Sequence, residues 1–355
     1  MSSAPLPILY LGATGYIGGS ALNRLLSHPK FNTWEVTALV RSPEKAKLLE
    51  SFGIKPVIGN LNDAELLESL AEKSHVVFST ADADNFPAIQ TILRGLKKRH
   101  ETTGDVPILI HTSGTGVLYS MDGGMFPGKV IYDDTNIEQM ASLAPSQVHR
   151  NVDLEIVNAD QAGYIKGYIV IPSTIYGIAN HKLVQAGISN CHSDQIPTLI
   201  KIALKRGEAG MTGKGLSLWP DVDIDELGDL YYVLFDGILN ENPAVGHGVD
   251  GYYFGANGEH PWYDIAKAIA VALHELGKVK SDEPTSFEVE ELSKYFGYEA
   301  LGWYYGSNSR CRANHSKAIG WNPKKTSEDM IKSIKPECEA IIKKLEAEAE
   351  AAKAA

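Results

Sequence analysis

Cysteine is scarce and scattered: Cys191, Cys311 and Cys338 are the only three in 355 residues, and no two form a C-x-x-C pair. That excludes a disulfide framework and a cysteine zinc site, and it suits a reducing compartment. His181, Cys191 and His192 lie close together, but their spacing fits no zinc pattern, so no metal is expected. Long apolar runs are missing as well, and nothing approaches the ~20 residues of a membrane span. The start, Met1-Ser2-Ser3-Ala4-Pro5, lacks a charged n-region followed by an apolar stretch, so a cytoplasmic location without membrane contact is the expectation. Basic runs are absent too. With a net charge of −11 this argues against a nucleic-acid surface. Internal repeats and long linkers are also lacking. What is present is 44% apolar and 22% charged residues, enough at this length for a full core in one large domain with a lobe, or in two domains.

The most informative stretch is Pro7-Ile8-Leu9-Tyr10-Leu11-Gly12-Ala13-Thr14-Gly15-Tyr16-Ile17-Gly18-Gly19. A short apolar run ends in glycines spaced three apart. Ile17, Ala21, Leu22, Leu25 and Leu26 then recur at helical spacing, so the glycines fall on a strand-to-helix turn. In that context Gly12 permits a tight turn, Gly15 lets the backbone approach a pyrophosphate, and Gly18 lets the helix pack on the strand. Phosphate would meet the unpaired N–H groups of the helix N-terminus, where the dipole favours negative charge.

The first half continues as alternating strands and helices. Strands are predicted at 34–41, 55–60, 75–80, 107–114 and 168–172, with helices at 43–52, 63–73 and 86–99 and one more before the sixth strand. Near-continuous apolar strands alternating with helices imply an α/β fold with a doubly wound parallel Rossmann sheet, covered on both faces. Its ligand should lie outside the carboxyl ends of the strands. At the tip of the second strand, where NAD-binding folds place a carboxylate for the ribose 2′-hydroxyl, this chain has Val40-Arg41-Ser42. Arg41 offers charge-assisted bonds to a 2′-phosphate and Ser42 a further donor, so NADP(H) is the expected cofactor.

These segments resemble the extended, atypical branch of the short-chain dehydrogenase/reductase superfamily. The likeness rests on Gly12-Ala13-Thr14-Gly15-Tyr16-Ile17-Gly18, Leu39-Val40-Arg41-Ser42, Gly59-Asn60-Leu61, Ile110-His111-Thr112-Ser113 and Ile171-Pro172-Ser173-Thr174-Ile175-Tyr176-Gly177. Val222-Asp223-Ile224-Asp225-Glu226-Leu227 and Ser316-Lys317-Ala318-Ile319-Gly320-Trp321-Asn322-Pro323 follow in the same order. The resemblance implies cofactor contacts from Gly12, Thr14, Gly15, Tyr16, Ile17 and Gly18. Further contacts would come from Arg41, Ser42, Asn60, Leu61, Thr80, Thr112, Pro172 and Thr174. Asn60 stands where the family usually has Asp against the adenine, and can still hydrogen-bond an amino group.

One absence is more serious. The superfamily's Tyr-x-x-x-Lys should fall on the helix before the sixth strand, yet Pro145-Ser146-Gln147-Val148-His149-Arg150-Asn151-Val152-Asp153-Leu154-Glu155-Ile156-Val157 has neither. By counting, Pro145 takes the tyrosine slot and His149 the lysine slot. Tyr164 and Lys166, the close pair nearby, have the wrong spacing. The candidate catalytic groups are therefore Ser113 and Thr115 to polarise a substrate oxygen, His149 as acid and Tyr176 as reserve donor.

The second half should form a smaller, interleaved C-terminal substrate lobe. Residues 1–180 and 221–255 would make the nucleotide domain, 181–220 and 256–350 the lobe, and 346–355 a helical or frayed tail. The α-helical run with Leu227, Leu230, Tyr231, Leu234 and Phe235 reads as core, and Pro336 should kink or restart the last helix. The expected activity is an NADPH-dependent oxidoreductase on a small or medium carbonyl compound or enone, as a monomer or homodimer. A nonenzymatic NADP(H)-binding regulator, or an epimerase or dehydratase that retains its nucleotide, are the alternatives.

Overall fold

A computed structural model describes residues 4–354. The first half runs β1 (Leu6–Leu11), α1 (Tyr16–Leu25), β2 (Trp34–Val40), α2 (Pro43–Glu50), β3 (Lys55–Ile58), α3 (Ala64–Glu72), β4 (Val76–Ser79), α4 (Phe86–Thr103), β5 (Ile108–Thr112), α5 (Arg150–Gln161) and β6 (Lys166–Pro172). Local chemistry sets the helix starts: the side chains of Ser42, Asp63 and Asn85 accept from the N–H of Lys45, Leu66 and Ala88. Each such cap contributes roughly 1 kcal/mol. Pro43 and Pro87 sit in first turns, where a missing N–H is harmless. Gly104, with φ 75°, ends α4.

The second half contributes β7 (Thr174–Tyr176), α6 (Gln195–Arg206), β8 (Leu218–Asp223), α7 (Ile224–Leu239), β9 (Tyr252–Gly255), β10 (Gly258–Pro261), α8 (Trp262–Glu275), α9 (Val289–Phe296), α10 (Glu299–Tyr304) and α11 (Ser327–Ala354). The main sheet is parallel throughout, in the order β9-β6-β5-β4-β1-β2-β3. This is the doubly wound α/β sheet that the alternating pattern predicts. Strand order reverses between β1 and β4, which opens a crevice at their carboxyl ends.

The core beneath that crevice is aromatic: Tyr10, Phe78, Phe235 and Trp34 form a chain of contacts with successive ring centroids 5.1 Å apart. Phe235 comes from α7, whose Leu227, Leu230, Tyr231 and Leu234 are also buried, as their spacing predicts. A second apolar cluster joins Ile200, Trp219, Trp262, Phe296 and Tyr305 to Met330, Ile334 and Ile341 of α11.

The helix before β6 and the last helix differ from the sequence reading. The helix before β6 starts at Arg150, not Pro145, because His149 takes a left-handed conformation (φ 67°) that a helix cannot propagate through. β8 runs through Pro220, which has a strand partner on one side only, Glu259 of β10; β7 pairs β8 from Asp221 onward. The last helix passes Pro336 without a break and continues to Ala354. Pro336 and Lys332 are both exposed, so the carbonyl freed by the proline meets water.

Candidate functional site

The glycine turn lies between β1 and α1. Gly12 has φ 97°, and a β-carbon there would stand 2.7 Å from the Thr80 backbone, so only glycine fits. A β-carbon at Gly18 would come closer still to Gly12 O, which makes this glycine the close-packing one. The hydroxyl of Tyr10 fixes the turn from below by donating to Gly18 O (2.7 Å). At Gly15 a β-carbon would meet only Gly12 O, at 3.2 Å, so its outer face is open to an approaching ligand. Gly15 also caps α1 without a side chain, and no acid occupies the first turn. The helix therefore presents its N–H groups and the positive end of its dipole to the crevice, an arrangement that fits a dinucleotide pyrophosphate.

A cleft of about 330 Å³ extends from this turn, lined by Gly15, Ile17, Thr80, Ser173, Asn190 and His192. Its outer wall comes from the second half and is stitched to the turn: Asn190 N donates to Thr14 O (3.0 Å) and Ser189 Oγ to Ala13 O (3.0 Å). His192 is gripped from behind by the buried Glu337 of α11, Nδ1 to Oε1 at 2.6 Å. Tyr16 donates to Gly177 O (2.5 Å), tying α1 to the segment after β7. At the tip of β2 Arg41 is exposed, while Ser42 Oγ caps Lys45 N and donates to Glu44 (2.7 Å). Asn60 is exposed and turns its Oδ1 to Asn62 N (2.8 Å); Leu61 is half-buried beside it.

Beyond the cleft, the loops after β4 and β5 converge with the entry to α5. His149 Nδ1 bonds the Asp84 carboxylate at 2.7 Å. That bond holds the Asp84 carboxyl below the usual range. The opposite nitrogen lies over the loop after β5, since a β-carbon at Gly114 would stand 3.0 Å from His149 Nε2 and 4.0 Å from Pro172 O. Ser113 Oγ donates to the buried Asp153 (3.1 Å), and burial pushes the Asp153 carboxyl up to about 6. His111, buried behind, is lowered to about 3 by desolvation and stays neutral.

The structure brings together Ser113 and His149 of the sequence candidates and sets others aside. Tyr176 is buried with its hydroxyl committed to Thr326 O (3.2 Å), inside the second apolar cluster, so it is corrected from donor to core. Thr112 turns its hydroxyl to Tyr231 Oη (2.5 Å) in the core beneath the sheet, not toward a cofactor. Thr80 spends its hydroxyl on Leu11 O (2.6 Å) and shapes the turn from within. Thr115 and Thr174 are fully buried, their hydroxyls unpartnered among the described residues. Pro172 is buried at the end of β6.

A family model described as NAD(P)H-binding matches residues 12–122, which include the glycine turn, the β2 tip and Ser113. Residues 12–122 thus match an NAD(P)H-binding domain, and the chain shares the fold of solved sugar-nucleotide epimerases and dehydratases. Among curated relatives it is 29% identical over 337 residues to the oxidase ucsJ of an Acremonium species, covering 89% of this chain and 92% of that one. It is 26% identical over 322 residues to an uncharacterised Schizosaccharomyces pombe protein, covering 89% and 94%. Among solved structures, a Thermotoga maritima UDP-glucose 4-epimerase with UDP-glucose superposes with TM-score 0.63 at 15% identity, covering 96% of this chain and 100% of that one. A Streptomyces venezuelae dTDP-glucose 4,6-dehydratase with NAD bound gives 0.58 at 16%, covering 92% and 95%.

Against the superfamily's usual Tyr-x-x-x-Lys, three groups that sequence reading missed now stand near Ser113 and His149. Asp153 lies four residues after His149, one turn into α5, with its N–H donating to His149 O (3.1 Å). Asp84 sits in a loop just before the Asn85 cap, and nothing in its local sequence marks it. Tyr304, at the end of α10, reaches the same loop from the other half of the molecule: a β-carbon at Gly116 would stand 2.5 Å from its Oη and 3.3 Å from His149 Nε2.

Proposed function

We propose that the protein is an NADPH-dependent oxidoreductase acting on a small or medium carbonyl compound or enone. The observation that carries the nucleotide preference is the β2 tip, where an exposed guanidinium, Arg41, replaces the usual carboxylate. Glu44, held by Ser42, is exposed and free to turn outward when a phosphate claims the Ser42 hydroxyl. The name of the Acremonium relative, an oxidase, is in keeping with redox chemistry.

When bound, the nicotinamide supplies a hydride to the substrate carbon. The chain's own task is then to orient the substrate oxygen and give it a proton. Ser113, whose hydroxyl proton goes to Asp153 in this structure, would polarise that oxygen by turning its O–H to it. His149 supplies the proton: Asp84 accepts from Nδ1–H, and Nε2 faces the loop after β5. The roles of Tyr and Lys are thus divided among residues from different loops.

Calorimetry with NADPH and NADH on wild type and Arg41→Ala tests the nucleotide assignment. NADPH should bind about ten- to a hundredfold tighter than NADH to wild type, and Arg41→Ala should erase the difference. Equal affinities in wild type would overturn it. A wild type that binds NADPH yet turns over no aldehyde, ketone or enone would favour the nonenzymatic regulator.

A further inference from the structure

The phenol of Tyr304 lies against the loop that carries Gly116. Its ring is held edge-on by Tyr119 (centroids 5.7 Å) and Trp219 (5.2 Å), and burial raises the hydroxyl above its ordinary range, so it remains protonated. Its Oη makes no hydrogen bond among the described residues; this is also true of the core residues Tyr168 and Tyr305, while Tyr10, Tyr16, Tyr176, Tyr231, Tyr252 and Tyr253 each make one. Gly116 leaves room for it. That glycine does not take a positive φ, so its backbone conformation does not demand glycine; the bare α-carbon is what admits the phenol. Both Tyr304 Oη and His149 Nε2 border that same α-carbon, and Asp84 is near enough to influence the phenol. His149 Nε2 is covered by the Gly114–Gly116 loop, while Tyr304 arrives from the side of the lobe.

We infer that Tyr304 Oη is the group that hands the proton to the substrate oxygen, with His149 Nε2 restoring it. The inference rests on the carbonyl-reductase reading above and names the atom that touches substrate. As hydride adds to the carbonyl carbon, the C=O π pair moves to oxygen. That oxygen takes the Tyr304 proton and becomes the alcohol hydroxyl. The phenolate takes the Nε2 proton of His149, and the imidazole regains one from water, with Asp84 holding Nδ1–H throughout. One hydride and one solvent proton are consumed per alcohol formed.

Tyr304→Phe keeps the ring contacts and removes only Oη. With NADPH and the probes cyclohexenone, benzaldehyde and phenanthrenequinone, kcat should fall about a hundredfold or more. Calorimetric NADPH affinity and melting temperature should stay at wild-type values. Gly116→Ala, which pushes the phenol aside without removing it, should give a similar loss. Wild-type kcat in Tyr304→Phe, with His149→Ala inactive, would overturn the role of Tyr304 and leave the reductase reading standing. Wild type inactive on every probe would overturn that reading and the proton transfer with it.

Discussion

The glycine turn draws its chemistry from one unbroken segment, Gly12–Gly18, whereas the cluster around His149 draws on Asp84, Ser113, Asp153 and Tyr304, spread over most of the chain. The turn works through backbone: N–H groups, a helix dipole, and glycines that let main chain approach main chain. The cluster works through side chains whose geometry exists only once β4, β5, α5 and α10 have packed. Binding a phosphate asks for a local conformation, and local conformation is written in consecutive residues. Moving a proton asks for two or three polar atoms at hydrogen-bond range, and those can come from anywhere the fold brings together.

The sharpest way to break this contrast is to separate the two halves. We propose that the chain divides as 1–180 with 221–255 and 181–220 with 256–350. β9 pairs with β6, and α7 supplies Phe235 to the core under β1 and β4. A fragment ending near Tyr176 should therefore expose the β6 edge and an aromatic core, and aggregate. A soluble fragment with a cooperative melt would show that the first half is self-sufficient.

Next in size are the effects of single side chains on turnover. His149→Ala should lower kcat by about two to four orders of magnitude and Ser113→Ala by a smaller factor, both with NADPH affinity within a few-fold of wild type. Nucleotide affinity falling in step with turnover would mean that turn and cluster are not separable.

The smallest effect concerns stability. The native state holds the Asp153 proton up to about pH 6, whereas an unfolded Asp releases it near its ordinary value. Stability from this source is complete below the unfolded pKa and is lost as pH rises through the folded one. Asp153→Asn, which keeps an acceptor for Ser113, should raise the melting temperature by a few degrees at pH 8, on the order of 1–3 kcal/mol, and leave it unchanged at pH 4. Scanning calorimetry at the two pH values measures the difference.

Most of the sheet was legible in sequence, because β1, β4, β5 and β6 are buried on both faces and read as apolar runs between helices. The helix before β6 was misplaced at its start because a histidine with φ 67° gives no compositional sign, as a glycine would. Tyr176 followed the superfamily's pattern of residues yet points into the second apolar cluster, since alternation along β7 fixes the side of a strand but not what packs there. Tyr304 sits in an aromatic, glycine-rich run, Tyr295 to Tyr305, whose composition marks no single residue. Its neighbour Gly116 lies far away in sequence, and no spacing rule links them.

The clasp between His192 and Glu337 carries a consequence for the order in which the protein is made. The wall of the nucleotide cleft is synthesised well before the helix that grips it, so during vectorial synthesis that wall waits for its partner. The glycine turn, β1 and β4 are complete early, but the cleft acquires its finished outer face only when the last helix has emerged and docked.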